Sequence, residues 1–221
     1  MFYRVTVTTN HAAALLEQTA TVLILRMGSA AQAERVAHAA IEGGVRVLEI
    51  PLTTPDALSV VRTLADEYGE EIAVGTGTVL DADAAHRSLD AGASVIVTPH
   101  VAPDVLAVAK AAGALALGGA FTPTEVLASL RAGSDVVKLF PAEALGPSYL
   151  KSIKAPLAHV PICPTGGVTP GNAAEWFAAG ATAVGAASYI TKAGGADLDP
   201  VLITKAAAEF VGAVADARAG R

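Results

Sequence analysis

Short apolar runs alternate with longer amphipathic stretches along most of the chain. Between these runs, apolar residues recur at helical spacing; Ala33, Val36, Ala37, Ala40 and Ile41 form one such stripe. The runs are rich in valine, isoleucine and leucine and occupy residues 21–27, 45–52, 71–79, 94–100, 114–120, 135–142, 159–167 and 182–188. This pattern predicts eight strands interleaved with helices.

The predicted helices begin and end at residues that favour helix termini. Thr122, Pro123 and Glu125 form a capping-box pattern with proline at the first helical position, and Thr169 followed by Pro170 repeats the device. Glycine stands where five of the helices should end, at Gly43-Gly44, Gly92, Gly113, Gly133 and Gly180. These signals agree with the helical periodicity.

Strands that are apolar along their whole length are buried on both faces, which is typical of a parallel sheet covered by helices. Eight strand–helix units favour closure into a (β/α)₈ TIM barrel. An open doubly wound sheet is the alternative, although no Gly-x-Gly-x-x-Gly follows the first strand. We expect one domain over residues 1–221, with residues 1–20 forming an N-terminal extension and a short leading helix.

Composition narrows the classes of function. The chain is 52% hydrophobic and carries a net charge of −6 without any basic block, which argues against nucleic acid or an anionic membrane as its partner. No apolar stretch is long enough to span a bilayer and the N-terminus lacks a signal-peptide pattern, so we expect a cytoplasmic protein with a small-molecule ligand. Cys163 is the only cysteine, and the histidines lack ligand spacing, so we expect no metal and no cofactor.

Ionisable residues stand at the ends of several predicted strands, where barrels of this class carry their chemistry. Arg26 ends strand 1, Glu49 lies in strand 2 and Lys138 lies in strand 6. Side-chain alternation puts Glu49 on one face with the valines two and four residues before it, and Lys138 on one face with Phe140. If both faces point inward, a carboxylate and an amine meet across the barrel axis.

Such a pair has two interpretations. A buried salt bridge could merely keep the core satisfied. Alternatively, desolvation favours the neutral form of an amine, so that Lys138 could attack a carbonyl carbon and form a Schiff base while Glu49 moves protons.

A second candidate site follows strands 7 and 8. Gly166 and Gly167 come after Thr165, and Ser188 opens the turn after strand 8. Glycines let backbone N–H groups approach an anion closely, and this position is typical of phosphate sites in barrels.

Four motifs carry a resemblance to a known family: VRVLEI, GTGTVL, VVKLFPAEA and CPTGGVTPGN. They resemble the bacterial 2-keto-3-deoxy-6-phosphogluconate and 2-keto-3-deoxy-6-phosphogalactonate aldolases, from about residue 21 to the C-terminus. The resemblance implies a class I aldolase on a (β/α)₈ barrel, usually a homotrimer, that works without metal. Such an enzyme cleaves a phosphorylated 2-keto-3-deoxy sugar acid to pyruvate and D-glyceraldehyde 3-phosphate.

The resemblance also implies roles for individual residues. Lys138 would be the Schiff-base lysine and Glu49 the general acid/base. Contacts to the substrate would come from Arg26, Thr78, Pro99, Phe140 and Thr165. The phosphate would bind at Gly166, Gly167 and Ser188.

Markers of substrate choice are mixed. Leu52-Thr53-Thr54 replaces the Leu-Arg-Thr motif of the gluconate branch, whereas LILRMG, with Arg26, resembles the galactonate branch. The threonine at position 165, before Gly166-Gly167, is in turn similar to the residue of the gluconate branch at this position. We expect 2-keto-3-deoxy-6-phosphogalactonate, alone or together with its phosphogluconate epimer, as the substrate. The alternative is a 2-keto-3-deoxy-6-phosphogluconate or 4-hydroxy-2-oxoglutarate aldolase. The alternative from another class is a barrel that binds a phosphate ligand without catalysis.

Overall fold

A closed ring of parallel strands forms the centre of the protein, for which a computed structural model describes residues 11–220. The strands run in the order β7-β6-β5-β4-β3-β2-β1-β8. They are β1 Thr21–Ile24, β2 Val47–Pro51, β3 Ala73–Gly77, β4 Val95–Val97, β5 Leu115–Ala120, β6 Val136–Leu139, β7 Ile162–Pro164 and β8 Val184–Ala186. Because β1 pairs with both β2 and β8, the sheet curves back on itself, as the prediction of a (β/α)₈ TIM barrel requires.

The ring closes between β7 and β8 through fewer contacts than elsewhere. A single bridge joins Thr165 to Gly185, and the amide of Thr182 donates to the carbonyl of Ile162 at 2.8 Å. The alternative of an open doubly wound sheet is therefore wrong.

Helices alternate with the strands around the outside of the ring. They are α1 His11–Thr19, α2 Ala30–Glu42, α3 Ala57–Tyr68, α4 Ala82–Asp90, α5 Pro103–Ala111, α6 Pro123–Arg131, α7 Gly146–Lys154, α8 Ala173–Ala178, α9 Ser188–Thr191 and α10 Pro200–Ala219. The guanidinium of Arg218 on α10 donates to the carbonyls of Glu17 and Gln18, so it satisfies carbonyls that the end of α1 leaves open. Helix α1 lies within the predicted extension, of which residues 1–10 lie outside the described residues.

Helix ends follow the sequence signals with one exception. The capping box at Thr122 and Glu125 is present. The helix predicted to begin at Thr169 instead begins at Ala173, with Asn172 as its N-cap, so that prediction is wrong. The side-chain oxygen of Asn172 accepts from the amide of Thr169 at 2.9 Å, and this holds a turn where a helix was expected.

Glycines end the helices by adopting left-handed backbone angles. The expected positions have φ between +71° and +111°, at Gly44, Gly92, Gly113, Gly133 and Gly180. Side chains disfavour this region, so each glycine lets the chain reverse towards the next strand.

All strands except β5 end earlier than their apolar runs. β1 ends at Ile24 rather than at Arg26, and β7 ends one residue before Thr165. Arg26 and Thr165 therefore lie in loops at the carboxyl ends of the strands, an end that we call the barrel mouth, whereas Glu49 and Lys138 lie within strands.

The inner face of the barrel carries unusually small residues near the mouth. Glu49 is in register with Gly75, and Lys138 is in register with Gly119 and Cys163. Neighbours in register share a face of a parallel sheet, and branched side chains usually fill this space. The small residues leave room for a ligand above the core.

The contrast between Thr122 and Thr169 gives a stability test. Thr122→Ala removes an N-cap side chain that accepts from the amide of Glu125, so the free energy of unfolding should fall by about 1 kcal/mol. Thr169→Ala is the matched control, because among residues 11–220 the Thr169 hydroxyl makes no hydrogen bond. Urea unfolding of both variants measures the difference, and an equal loss in both would contradict the assignment of the caps.

Candidate active site

A lysine and a glutamate from opposite sides of the barrel meet at its centre. Nζ of Lys138 donates to Oε1 of Glu49 at 2.7 Å. Lys138 lies on β6 and Glu49 on β2, which are four strands apart in the ring. Both side chains are buried, with exposed fractions of 8% for Lys138 and 1% for Glu49. The structure thus brings together the amine and the carboxylate that alternation places on inward faces.

The second carboxylate oxygen of Glu49, Oε2, is buried without a hydrogen-bond partner in the described part of the chain. It lies against Gly77 on β3, only 1.3 Å from the position that a Cβ of this glycine would occupy. Since buried carboxylate oxygens are normally hydrogen-bonded, Oε2 is an acceptor available to a ligand or a water molecule.

The surroundings of Lys138 include an aromatic ring and a loop that folds inward. Nζ lies 5.6 Å from the centroid of the Phe140 ring. A Cβ on neighbouring Gly119 would lie 2.2 Å from the carbonyl carbon of Pro99, so glycine lets the loop after β4 approach the lysine. The hydroxyl of Thr98 holds this loop, donating to the carbonyl of His100 at 2.6 Å and accepting from the amide of Gly119 at 3.1 Å.

Cys163 lies beside the pair on β7 and is buried. Burial raises the pKa of the Cys163 thiol from 9.0 to about 12, although a hydrogen bond with Thr165 and the charge of Lys138 act in the opposite direction. The thiol therefore stays neutral at physiological pH and is a poor nucleophile. This leaves Lys138 as the nucleophilic group at the centre of the barrel.

Arg26 and Thr78 form one wall of the mouth. Nη2 of Arg26 donates to Oγ1 of Thr78 at 3.4 Å. Thr78 has a φ of +56°, which is rare for a β-branched residue. Such angles concentrate at functional sites, where the surrounding structure enforces them. On the opposite wall, Thr165 is 5% exposed, and its hydroxyl donates to the carbonyl of Cys163 at 3.4 Å.

The expected phosphate corner contains a residue that the sequence analysis did not single out. Gly166 and Gly167 have φ values of +107° and +72°, and Ser188 is exposed at the start of α9. Glu143 lies over both glycines, with Oε2 1.5 Å from the Cβ position of Gly166 and its own Cβ 2.7 Å from that of Gly167. Glycine is therefore required here by both backbone conformation and space. Glu143 belongs to the VVKLFPAEA motif, and membership of this motif is the sequence feature that could have identified it.

A cavity of about 410 Å³ lies next to Arg26. Lys192 also lines it, and the amide of Lys192 donates to the carbonyl of Ser188, one helical turn earlier. The full lining is Arg26, Met27, Gly28, Thr191, Lys192, Gly195 and Leu198. It contains two cations and no carboxylate, so it favours an anion, and Lys192 is a further residue that the sequence analysis missed.

A larger cavity of about 720 Å³ lies away from the mouth. Arg46 and Glu71, which line it, precede β2 and β3, so it is near the amino ends of the strands.

In residues 11–220, no cluster of three or more histidine, cysteine, aspartate or glutamate side chains could hold a metal ion. No helix within this range is long and apolar enough to cross a membrane.

Comparison with known proteins gives consistent matches. The family model described as KDPG and KHG aldolase matches residues 12–203. The 2-dehydro-3-deoxy-6-phosphogalactonate aldolase of Escherichia coli is 34% identical over 180 residues, which cover 80% of this chain and 88% of that protein. The 2-dehydro-3-deoxy-phosphogluconate aldolase of Zymomonas mobilis is 33% identical over 189 residues, covering 85% and 90%.

A solved structure shares the fold and carries a ligand. The KDPG aldolase from Legionella pneumophila, with pyruvate captured at low pH as a covalent carbinolamine intermediate, superposes with a TM-score of 0.81. It is 26% identical, and the match covers 90% of this chain and 97% of that one.

The raised pKa of Cys163 gives a test of burial at the centre of the barrel. At pH 9 the thiol of the unfolded chain is about half ionised, whereas that of the folded protein stays protonated up to about pH 12. Iodoacetamide at pH 9 should therefore label Cys163 only when urea unfolds the protein, as measured by mass spectrometry. Labelling of the folded protein at the unfolded rate would contradict this environment. Because the unfolded state loses this proton first, the same group destabilises the fold progressively as pH rises from about 9 to 12.

Proposed function

This chain belongs to the KDPG and KHG aldolase family, and from this membership we propose that it cleaves 2-keto-3-deoxy-6-phosphogalactonate to pyruvate and D-glyceraldehyde 3-phosphate through a Schiff base on Lys138. The observation that carries the proposal is the 2.7 Å contact between Nζ of Lys138 and Oε1 of a buried glutamate. In this proposal Glu49 takes up and returns protons, which is supported by its Oε2 being unpaired in the described part of the chain.

The contact with Glu49 lets the lysine become a nucleophile. A proton that moves from Nζ to Oε1 leaves a neutral amine and a carboxylic acid, so no isolated charge is created in the buried site. The amine then attacks the C2 carbonyl carbon of the substrate and forms a carbinolamine. Glu49 protonates the departing hydroxyl, water leaves and an iminium ion remains. The carbinolamine captured in the Legionella relative supports the same first step here.

Cleavage of the C3–C4 bond uses the iminium ion as an electron sink. A base removes the proton of the C4 hydroxyl, the bond breaks, and its electron pair moves through C3 to the iminium nitrogen. The aldehyde leaves and an enamine remains on Lys138. Protonation at C3 and hydrolysis by water then release pyruvate and the free amine. The unpaired Oε2 of Glu49 supports the assignment of the carboxyl group as the carrier of these protons.

A purely structural ion pair is less consistent with this geometry. Well-packed apolar residues often replace buried ion pairs without loss of stability, so stability alone gives little reason to keep Lys138 and Glu49. A structural carboxylate would also have both oxygens satisfied, whereas Oε2 has no partner in residues 11–220. The same facts weigh against the alternative of a barrel that only binds a phosphate ligand.

The substrate contacts remain those that the sequence predicts. Arg26 and Thr78 on one wall, and Thr165 on the other, would bind the carboxylate and hydroxyls of the sugar acid. Pro99 and Phe140 would line the pocket. Hydroxyl groups on both walls favour an enzyme that accepts both C4 epimers, with the galactonate preferred because Arg26 is present.

The phosphate would bind at Gly166, Gly167 and Ser188. Glu143 opposes an anion at this corner, but its side chain is exposed and can turn towards solvent when the phosphate arrives. Lys192 lies one turn after Ser188 and adds positive charge.

Assembly and location belong to the same proposal. A homotrimer would bury apolar side chains that the single chain exposes, such as Leu80 at 56% and Leu145 at 47%. A cytoplasmic location fits a phosphorylated substrate, because such anions do not cross membranes unaided.

The decisive experiment traps the intermediate. Borohydride reduction in the presence of pyruvate should add a pyruvate-derived mass to Lys138 and to no other residue, as read by peptide mass spectrometry. Lys138→Met should give neither the adduct nor cleavage of the substrate. Lys138→Arg keeps the positive charge beside Glu49 but lacks the amine, and it should also give neither. An active Lys138→Met enzyme, or a wild-type protein without an adduct, would refute Schiff-base chemistry. The kcat/KM values for the two C4 epimers then measure the substrate preference.

Glu49 should affect the chemical steps rather than binding. Glu49→Gln keeps the size of the side chain but removes its ability to exchange protons, so kcat should fall by about 10²–10⁴-fold with little change in KM. Steady-state kinetics and circular dichroism of the folded variant measure this. If only KM changed, Glu49 would be a binding residue.

A further inference from the structure

Gly77 on β3 faces the carboxylate of Glu49 more closely than any side chain would allow. A Cβ built on Gly77 would lie 1.3 Å from Oε2, 2.5 Å from Cδ and 3.2 Å from Oε1 of Glu49. All three nearest atoms belong to the carboxyl group. The missing side chain of Gly77 is thus the space in which the carboxylate lies.

The backbone of Gly77 does not itself call for glycine. Its φ lies outside the left-handed range, unlike those of Gly166 and Gly167, so alanine could adopt the same backbone conformation. The tightest constraint at this position therefore comes from Glu49.

Other inward glycines near the mouth make different contacts. A Cβ on Gly75 would meet the backbone of Val95, and one on Gly185 would meet the side chain of Thr165. The contact at Gly75 concerns the spacing between strands, and the contact at Gly185 concerns the opposite wall of the mouth. At Gly77, by contrast, the carboxylate of Glu49 occupies the space that a side chain would fill.

The carboxylate has few other restraints. Oε1 is held by Lys138 at 2.7 Å, and Oε2 has no hydrogen bond to any described residue. The rotation of the carboxyl group, which determines the oxygen that faces the lysine, therefore depends on the fit of Oε2 over Gly77.

We propose that Gly77 is a positioning residue: its missing side chain seats Oε2 of Glu49, so that Oε1 holds Lys138 while Oε2 keeps no competing hydrogen bond to the described residues. The inference rests on the proposed function for its catalytic consequence, whereas the contact itself is independent of activity.

Gly77→Ala tests the catalytic consequence. The methyl group displaces the carboxylate, so kcat should fall by about 10²-fold, as misplacement of a catalytic group typically does. KM should change little, and the pH profile of kcat should shift because the carboxyl group loses its fixed contact with Lys138. Wild-type kcat and pH profile in Gly77→Ala would overturn the proposal, as would a change in KM alone.

Gly118→Ala is the matched control for a general packing defect. Gly118 lies on β5 of the same sheet, two strands from β3. A Cβ there would meet the hydroxyl oxygens of Ser129 and Ser134 at 2.2 and 2.3 Å, away from the pair. This variant should lower the melting temperature yet keep the pH profile and the kcat of the folded protein. An equal loss of kcat in both variants would show that the effect of Gly77→Ala is unspecific.

A double variant tests the contact without relying on Schiff-base chemistry, and if Gly77→Ala alone does not fold, recovery of folding in the double variant is the expected result. Glu49→Asp shortens the side chain by one methylene and withdraws the carboxylate from the position of the new methyl group. Gly77→Ala should therefore lower the melting temperature less in the Glu49→Asp background than in wild type. Equal destabilisation in both backgrounds would mean that Gly77 does not seat the carboxylate. Failure of borohydride trapping in wild type would refute the proposed chemistry without affecting this thermal comparison.

Discussion

The hydrogen bond between Lys138 and Glu49 depends on the closure of the barrel. The two residues are 89 positions apart and lie on strands four places apart in the ring, so neither a helix nor a hairpin could bring them together. Parallel pairing all the way round places both side chains in one interior, and the seam at Thr165 and Gly185 completes it. The weakest junction of the ring thus adjoins Thr165, which borders the candidate site. Fold and site are therefore coupled through strand register rather than through local sequence.

The space around this pair is created by small residues. A barrel interior is normally filled by layers of branched side chains, and such a filling would exclude both the lysine and a ligand. Near the mouth, the chain instead has glycine beside each polar group, with Gly77 under the carboxylate, Gly119 beside the lysine and Gly185 under Thr165. The loss of apolar packing at these positions is the structural cost of a site inside the barrel.

The sequence alone predicts the strands, their closure and the meeting of Glu49 with Lys138, because these follow from periodicities of two and 3.6 residues that hold wherever the core is buried. It does not predict contacts that depend on the relative rotation of distant elements. The seating of the carboxylate over Gly77 and the position of Glu143 over the phosphate corner are of this kind. Thr169 shows a third limit, since its helix-start pattern is real but the competing side-chain contact with Asn172 produces a turn.

Electrostatics at the mouth links the candidate site to its anionic substrate. The chain has a net charge of −6, so a phosphorylated sugar acid is repelled by the protein as a whole. The cavity beside Arg26, which Lys192 also lines without a carboxylate, is a local exception that can draw the anion to the mouth. At the adjoining phosphate corner, the negative charge of Glu143 repels an anion. A phosphate group would have to displace the Glu143 side chain, whereas an unphosphorylated ligand would not. Under the proposed function, the balance between these cations and Glu143 would therefore set how strongly the enzyme distinguishes a phosphorylated from an unphosphorylated 2-keto acid.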